Sequence, residues 1–280
     1  MMEAASQTTE TTVIEPPKGK WWPDFRELWA RRELIYYMAR RDVSVRYKQA
    51  VVGFSWAIVQ PLFFAAVFGV FFGLLAKIES PGVIPYPLFA ASGMVLWLAF
   101  ADGLSTCSFS TVLASGLISK IYFPRLVIPI AAVMPAMVDL VVGFVVMIAV
   151  SWGFGFEPRP QLLLFPLCLL LTCAITLGAG LWFSALNVKY RDVLIIVPFI
   201  TLVGLFISPI VYPIDLLPDD LLPLYVLNPV SGVMELWRYM LLPTEFNPLL
   251  MLIPLASSAL LLVSGAMYFT RAEPGFADVI

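Results

Sequence analysis

Histidine is absent from this chain, and only 13% of its 280 residues are charged. Without imidazole there is no His-based acid–base catalysis, no Ser-His-Asp triad and no His metal site. Cysteine is scarce: Cys107, Cys168 and Cys173 are the only three. All lie in apolar stretches and read as small buried hydrophobes. Cys168 and Cys173 fall on different faces of a helix. No GxxxxGK[ST] segment occurs, so the chain carries no phosphate-cradling P-loop. Clustered cysteines, an EF-hand loop and HExxH are missing as well. No catalytic residue, no metal site and no cofactor bound by this chain are expected. Work on a substrate must then draw on another subunit or a gradient. A net charge of −2 gives no case for nucleic acid as a partner.

What the chain has in abundance is apolar surface: 60% hydrophobic residues and a mean hydropathy of +0.90. Soluble domains sit near ~45–50% apolar and ~25% charged. An all-α integral membrane protein is the expectation. A span needs roughly 20 apolar residues. Six segments qualify: Gly53 to Ala76, Tyr86 to Ala114, Ile128 to Phe154, Gln161 to Leu186, Val193 to Tyr212 and Leu249 to Phe269. The expected organisation is a disordered cytoplasmic tail at 1–22, an amphipathic interface helix at 23–48, and a six-helix transmembrane domain at 49–280. The first fifty residues lack the short apolar core and cleavage site of a signal peptide.

Lys and Arg placement sets orientation. Of the 17, nine precede the first span. Lys120, Arg125, Lys189, Arg191 and Arg271 fall on the same side by alternation, and only Lys77, Arg159 and Arg238 on the other. This predicts both ends in the cytoplasm and an even number of spans. Ile214 to Phe246 is apolar but broken by Pro218, Pro223, Pro229 and Pro243. A single crossing helix is disfavoured there. Short or re-entrant helices at the outer face are expected instead, one opening near Asn228.

Several stretches invite both a functional and a structural reading. Between Asp24 and Lys48, apolar Phe25, Leu28, Trp29, Ile35, Tyr36 and Met38 alternate with basic residues. That pattern suits a helix on the membrane surface, with cations near anionic headgroups. Pro23 and Asp24 suit its start. It serves either as a simple positive-inside anchor or as a lever touching a cytoplasmic partner. The loop Ser119 to Arg125, SKIYFPR, is either a topogenic turn or a docking element. NVKYRD at 187–192 is weaker, with Asp192 placed to pair with Lys189 or Arg191. Asp102 and Asp139 lie inside spans, where an ionised carboxylate costs at least ~2.5–3.5 kcal/mol. Each should face the bundle interior or water, or sit nearer an interface. No intramembrane cation is evident as a relay partner, so structural hydrogen bonds are favoured over a proton or substrate site. Trp56, Phe63, Tyr212 and Trp237 are candidate channel aromatics, since ring faces stack on sugar C–H surfaces. Gly69 and Gly73 form a GxxxG close-packing pattern.

Taken together, RDVSVRYKQAVVGFSWAIVQPL, PYPLFAASGMVLW, SKIYFPR, ALNVKYRDV, SPIVYPIDLLP, LNPVSGVMELWRYML and FADVI resemble the ABC-2 type permeases of polysaccharide exporters, the O-antigen and teichoic acid group. The resemblance covers about residues 24–280. It implies a homodimer of six-span subunits with two ATP-binding cassette subunits, which hold the ATP and Mg. By carry-over, Ser119, Lys120, Ile121, Tyr122, Phe123, Pro124 and Arg125 would meet the ATPase. The Ile214–Phe246 region would supply gate helices. The substrate would be a lipid-linked glycan on a polyprenyl diphosphate, entering from the cytoplasmic leaflet of the inner membrane. Arg40, Arg41, Arg46 and Lys48, clustered beside the first span, are candidates to receive its diphosphate through charge-assisted bonds. An ABC-2 permease for a drug or lipid, a membrane-embedded glycosyl- or phosphotransferase, and a passive scaffold are the competing readings.

Overall fold

A computed structural model describes residues 21–48, 53–75, 77, 81–216, 218, 220, 225, 227–246 and 251–276. The tail at 1–20 lies outside them. Among the described residues every regular element is helical.

The N-terminal surface segment forms two helices where one was expected. Helix α1 spans Phe25–Ala30, and Asp24 caps it by accepting from the N–H groups of Arg26 and Glu27, each at 3.2 Å. Arg31 leaves the helical region, with φ −98° and ψ 15°, and α2 restarts over Arg32–Lys48. Helix α3 covers Gly53–Phe68 and tolerates Pro61; it continues as a π-helical stretch, Gly69–Leu75. The GxxxG pair belongs to that stretch. A Cβ on Gly69 would sit 3.1 Å from the Pro87 ring, and one on Gly73 would sit 3.2 Å from the Tyr86 ring. The two glycines therefore allow close approach to the start of the next helix within this same chain.

That next helix, α4 (Tyr86–Leu113), is the centre of the bundle. Its apolar window is 78% buried, against 17% for the α3 stretch. After the short α5 (Ser115–Ile118) come α6 (Val127–Gly153) and α7 (Phe165–Lys189), both packed on α4. Helix α8 is Val193–Ile207, α9 is Pro229–Leu241 and α10 is Leu252–Ala272, the last packed along α7. Among the described residues, five helical stretches are long and apolar enough to cross a membrane.

The fifth expected span is shorter than its apolar run. Helix α8 has 15 residues, about 22 Å at 1.5 Å per residue, against a ~30 Å hydrocarbon core. It ends at Ile207 because Ser208, preceding Pro209, adopts an extended ψ of 151°. Tyr212 folds back so that its hydroxyl donates to the carbonyls of Phe206 (2.9 Å) and Ile207 (3.2 Å), capping the helix end. Within the expected gate region a 3-10 turn covers Ile214–Leu216 and α9 begins after Asn228, whose side chain accepts from the Val230 N–H at 3.1 Å. Residues 221–224 lie outside the described set.

Cys107 and Cys168 are fully buried, and Cys173 is half-buried, in apolar packing.

Candidate functional site

Chain alternation brings α1, α2, the 119–126 loop, the α7–α8 turn and the end of α10 to one end of the bundle. Two apolar clusters hold them there. Phe123 and Met38 are buried with Val127, Ile128 and Ala131, and Leu34, Ile35 and Ala39 of α2 pack against them. Leu126 shares a second cluster with Leu181, Val188, Phe269 and Phe276, and Leu28 of α1 touches both clusters.

This packing divides the SKIYFPR loop into two faces. Ile121 is 59% exposed and Tyr122 82%. Ser119 and Lys120 are exposed beside them, and the loop borders a cavity of about 220 Å³ lined by Ile118–Phe123 and Arg125. Phe123 faces the other way and is 6% exposed. The expectation of Phe123 as a docking aromatic is corrected accordingly: its ring is spent inside the protein, between α2 and the start of α6. Pro124 is half-buried. Arg125 also turns inward, where its backbone N–H donates to Glu273 Oε1 at 2.9 Å and its guanidinium bonds the Glu273 carbonyl.

The four cations proposed for a diphosphate do not form one cluster. Arg40 and Lys48 are exposed, and Arg41 is exposed with its guanidinium 2.8 Å from Asp42. Arg46 is different. It reaches Asp102 Oδ2 of α4 at 2.7 Å and Asp139 Oδ2 of α6 at 2.9 Å. The Tyr47 hydroxyl donates to the other oxygen of Asp139. Burial lowers the Arg46 pKa, but the Asp102 hydrogen bond and the two aspartate charges outweigh it and hold the group above the ordinary arginine value. Tyr47 is raised by burial, then by its bond to Asp139. Both aspartates thus have the cationic partner that span-by-span reading denied them. The reason is depth. At 1.5 Å per residue α4 is roughly 42 Å long, and Asp102 lies roughly 24 Å from its Tyr86 end. That position is level with the end of α2, from which Arg46 reaches it.

The aromatic candidates also separate. Trp56 is 57% and Phe63 62% exposed on α3, and Tyr212 is half-buried in its capping role. Trp237 has no exposed surface: its indole N–H donates to the Ser92 carbonyl at 2.8 Å, and its ring packs beside Phe144 and Phe165. A side chain so enclosed lines no passage, and the expectation for Trp237 is withdrawn. Arg238, read from sequence as an outer-side topogenic charge, is likewise internal at 1% exposure. It donates to the carbonyls of Pro209 and Ile210, each at 2.6 Å, and lies 3.7 Å from the centre of the Phe89 ring. No ion pair joins Asp192 to Lys189 or Arg191 among the described residues. No cluster of three potential metal ligands occurs among them either.

A helical bundle with several membrane-length helices, a surface helix tied to it by ions and one protruding loop defines a multi-pass membrane protein. The family is settled by comparison. The ABC-2 type transporter family matches residues 33–242, and the chain belongs to it. It is similar to the O-antigen export system permease protein RfbA of Klebsiella pneumoniae, 27% identical over 249 residues, covering 89% of this chain and 95% of that one. RfbA of Myxococcus xanthus is 25% identical over 261 residues, covering 91% and 98%. The polysialic acid transport protein KpsM of Escherichia coli is 25% identical over 241 residues, covering 83% and 91%.

Proposed function

We propose that this protein is the membrane permease subunit of an ATP-driven exporter that carries a lipid-linked polysaccharide across the cytoplasmic membrane. The observation that carries the proposal is similarity to O-antigen export permeases and a polysialic acid transport protein over 83–91% of this chain. It works as a homodimer with two ATP-binding subunits, with both ends in the cytoplasm. Those subunits hydrolyse ATP and press on the 119–125 loop, with exposed Ile121 and Tyr122 as the contact. Motion passes to α2 through Phe123 and Met38. From α2 it passes to α4 and α6 through Arg46, Asp102 and Asp139. The exposed cations Arg40, Arg41 and Lys48 receive the diphosphate of the lipid carrier at the headgroup level. Arg46, satisfied by two carboxylates, is the strut rather than the receptor.

Reconstitution with the ATP-binding subunit and defined lipid-linked glycans tests this. Stimulated hydrolysis by a polyprenyl-diphosphate glycan, lost when Arg40, Arg41 and Lys48 are neutralised together, is the expected result. Stimulation by drugs or simple lipids alone would move the substrate class. Turnover of the glycan carrier without any ATP-binding subunit would replace transport by transferase chemistry.

A further inference from the structure

The residues just past α10 have no role in the reading above, yet they lie directly behind the protruding loop. Glu273 Oε1 accepts the Arg125 backbone N–H at 2.9 Å, while the Glu273 carbonyl accepts from the Arg125 guanidinium. The Arg125 guanidinium also lies 5.8 Å from the centre of the Phe276 ring. Phe276 is itself 2% exposed and meets Phe269 edge-on at 5.2 Å. Leu126, the next loop residue, is buried in the same cluster. One residue of the loop is therefore gripped through its backbone, its charge and its neighbour, from an element about 150 positions away, 148 by sequence separation.

We infer that Glu273 and Phe276 are positioning residues for the docking loop: a brace that fixes Arg125 so that Ile121 and Tyr122 are presented to the ATP-binding subunit in one orientation. This rests on the reading of 119–125 as the docking element. The physical reason is pre-organisation. A loop ordered before binding loses less conformational freedom on binding. The brace has a second consequence. Because Glu273 directly follows α10, a push on the loop is delivered to the last span as well as to α2.

The test measures affinity of the cognate ATP-binding subunit for the full-length permease in detergent micelles or nanodiscs, per folded permease. Glu273→Ala removes the acceptor of the Arg125 N–H and is expected to weaken binding by about fivefold, the loss of one hydrogen bond that an uncharged acceptor can replace. Glu273→Gln keeps an Oε1 acceptor and is expected to restore binding to near the wild-type value. Should Glu273→Ala not fold, Phe276→Leu carries the test, with an expected loss of roughly threefold from the missing cation–π contact. Tyr122→Ala is measured in parallel. Undiminished binding by Glu273→Ala or its substitute, beside a loss in Tyr122→Ala, overturns the brace alone. Equal damage from Gln and Ala also overturns it. Undiminished binding by Tyr122→Ala overturns the docking reading beneath it, and the proposal with it.

Discussion

Arg46 and Arg238 are both arginines held against the apolar body, and they are held in opposite ways. Arg46 is 35% exposed and answered by two carboxylates from two different helices. Arg238 is 1% exposed and answered chiefly by peptide carbonyls, with Glu235 no nearer than 3.9 Å. Its fork of donors serves both the Pro209 and the Ile210 carbonyl. The Arg46 knot joins a surface helix to two spans in reach of water, where ion pairs exchange partners cheaply. The Arg238 knot satisfies the backbone where α8 breaks. The Tyr86 hydroxyl takes the next carbonyl, Val211, at 2.6 Å. Non-helical backbone at membrane depth is tolerated only when protein satisfies it. One end of the molecule is tied together by ion pairs in reach of water, and the other holds an irregular stretch of backbone.

Substitutions at the two ends should differ in cost. The largest effect is expected from Arg238→Leu, which strips the partners from two buried carbonyls at once. A loss of about 3 kcal/mol or more is predicted, read as a collapse in folded yield and thermal stability in detergent. Gly93→Ala should act on the same knot, because a Cβ there would lie 2.5 Å from the Ile210 carbonyl. Next is Phe123→Ala at the loop end. Removing a buried ring between α2 and α6 should cost about 3 kcal/mol, and thermal unfolding measures it. Arg46→Met should cost less, roughly 1–2 kcal/mol, because the site is open to solvent screening. Adding Asp139→Asn should recover part of the loss. A double-mutant cycle on melting temperature checks this, and strict additivity would contradict a shared knot. The smallest stability effect is expected for Tyr122→Ala, within about 0.5 kcal/mol as for other exposed positions.

Much of this arrangement can be read from the sequence, and the failures have a common physical cause. Local signals work: Asp24 caps α1, Asn228 caps α9, and the apolar runs become α3, α4, α6, α7 and α10. So does the short helix in the proline-broken region. What local reading misses is depth and facing. The Arg46–Asp102 contact joins residues 56 apart, and nothing in either helix announces it. Only the excess length of α4 hints that Asp102 sits near an interface. Trp237 reads as a channel aromatic and Arg238 as an outer-side charge because α9 is short and proline-flanked. Their burial depends on Ser92, Phe89 and Ile210 from distant elements. In SKIYFPR, hydrophobicity alone does not separate Tyr122 from Phe123. The hydroxyl-bearing ring is the exposed one, as expected for a ring with a polar tip.

The proposed docking puts the ATP-binding subunit at the loop end and not at the opposite end. It is tested most directly by measuring that subunit's affinity for two single-site variants of the intact permease. Tyr122 is 82% exposed at the loop end and Leu163 84% exposed at the other. Tyr122→Ala is predicted to weaken binding by about tenfold or more, and Leu163→Ala to leave it unchanged. Equal affinity in the two variants, or a loss confined to Leu163→Ala, would contradict the account.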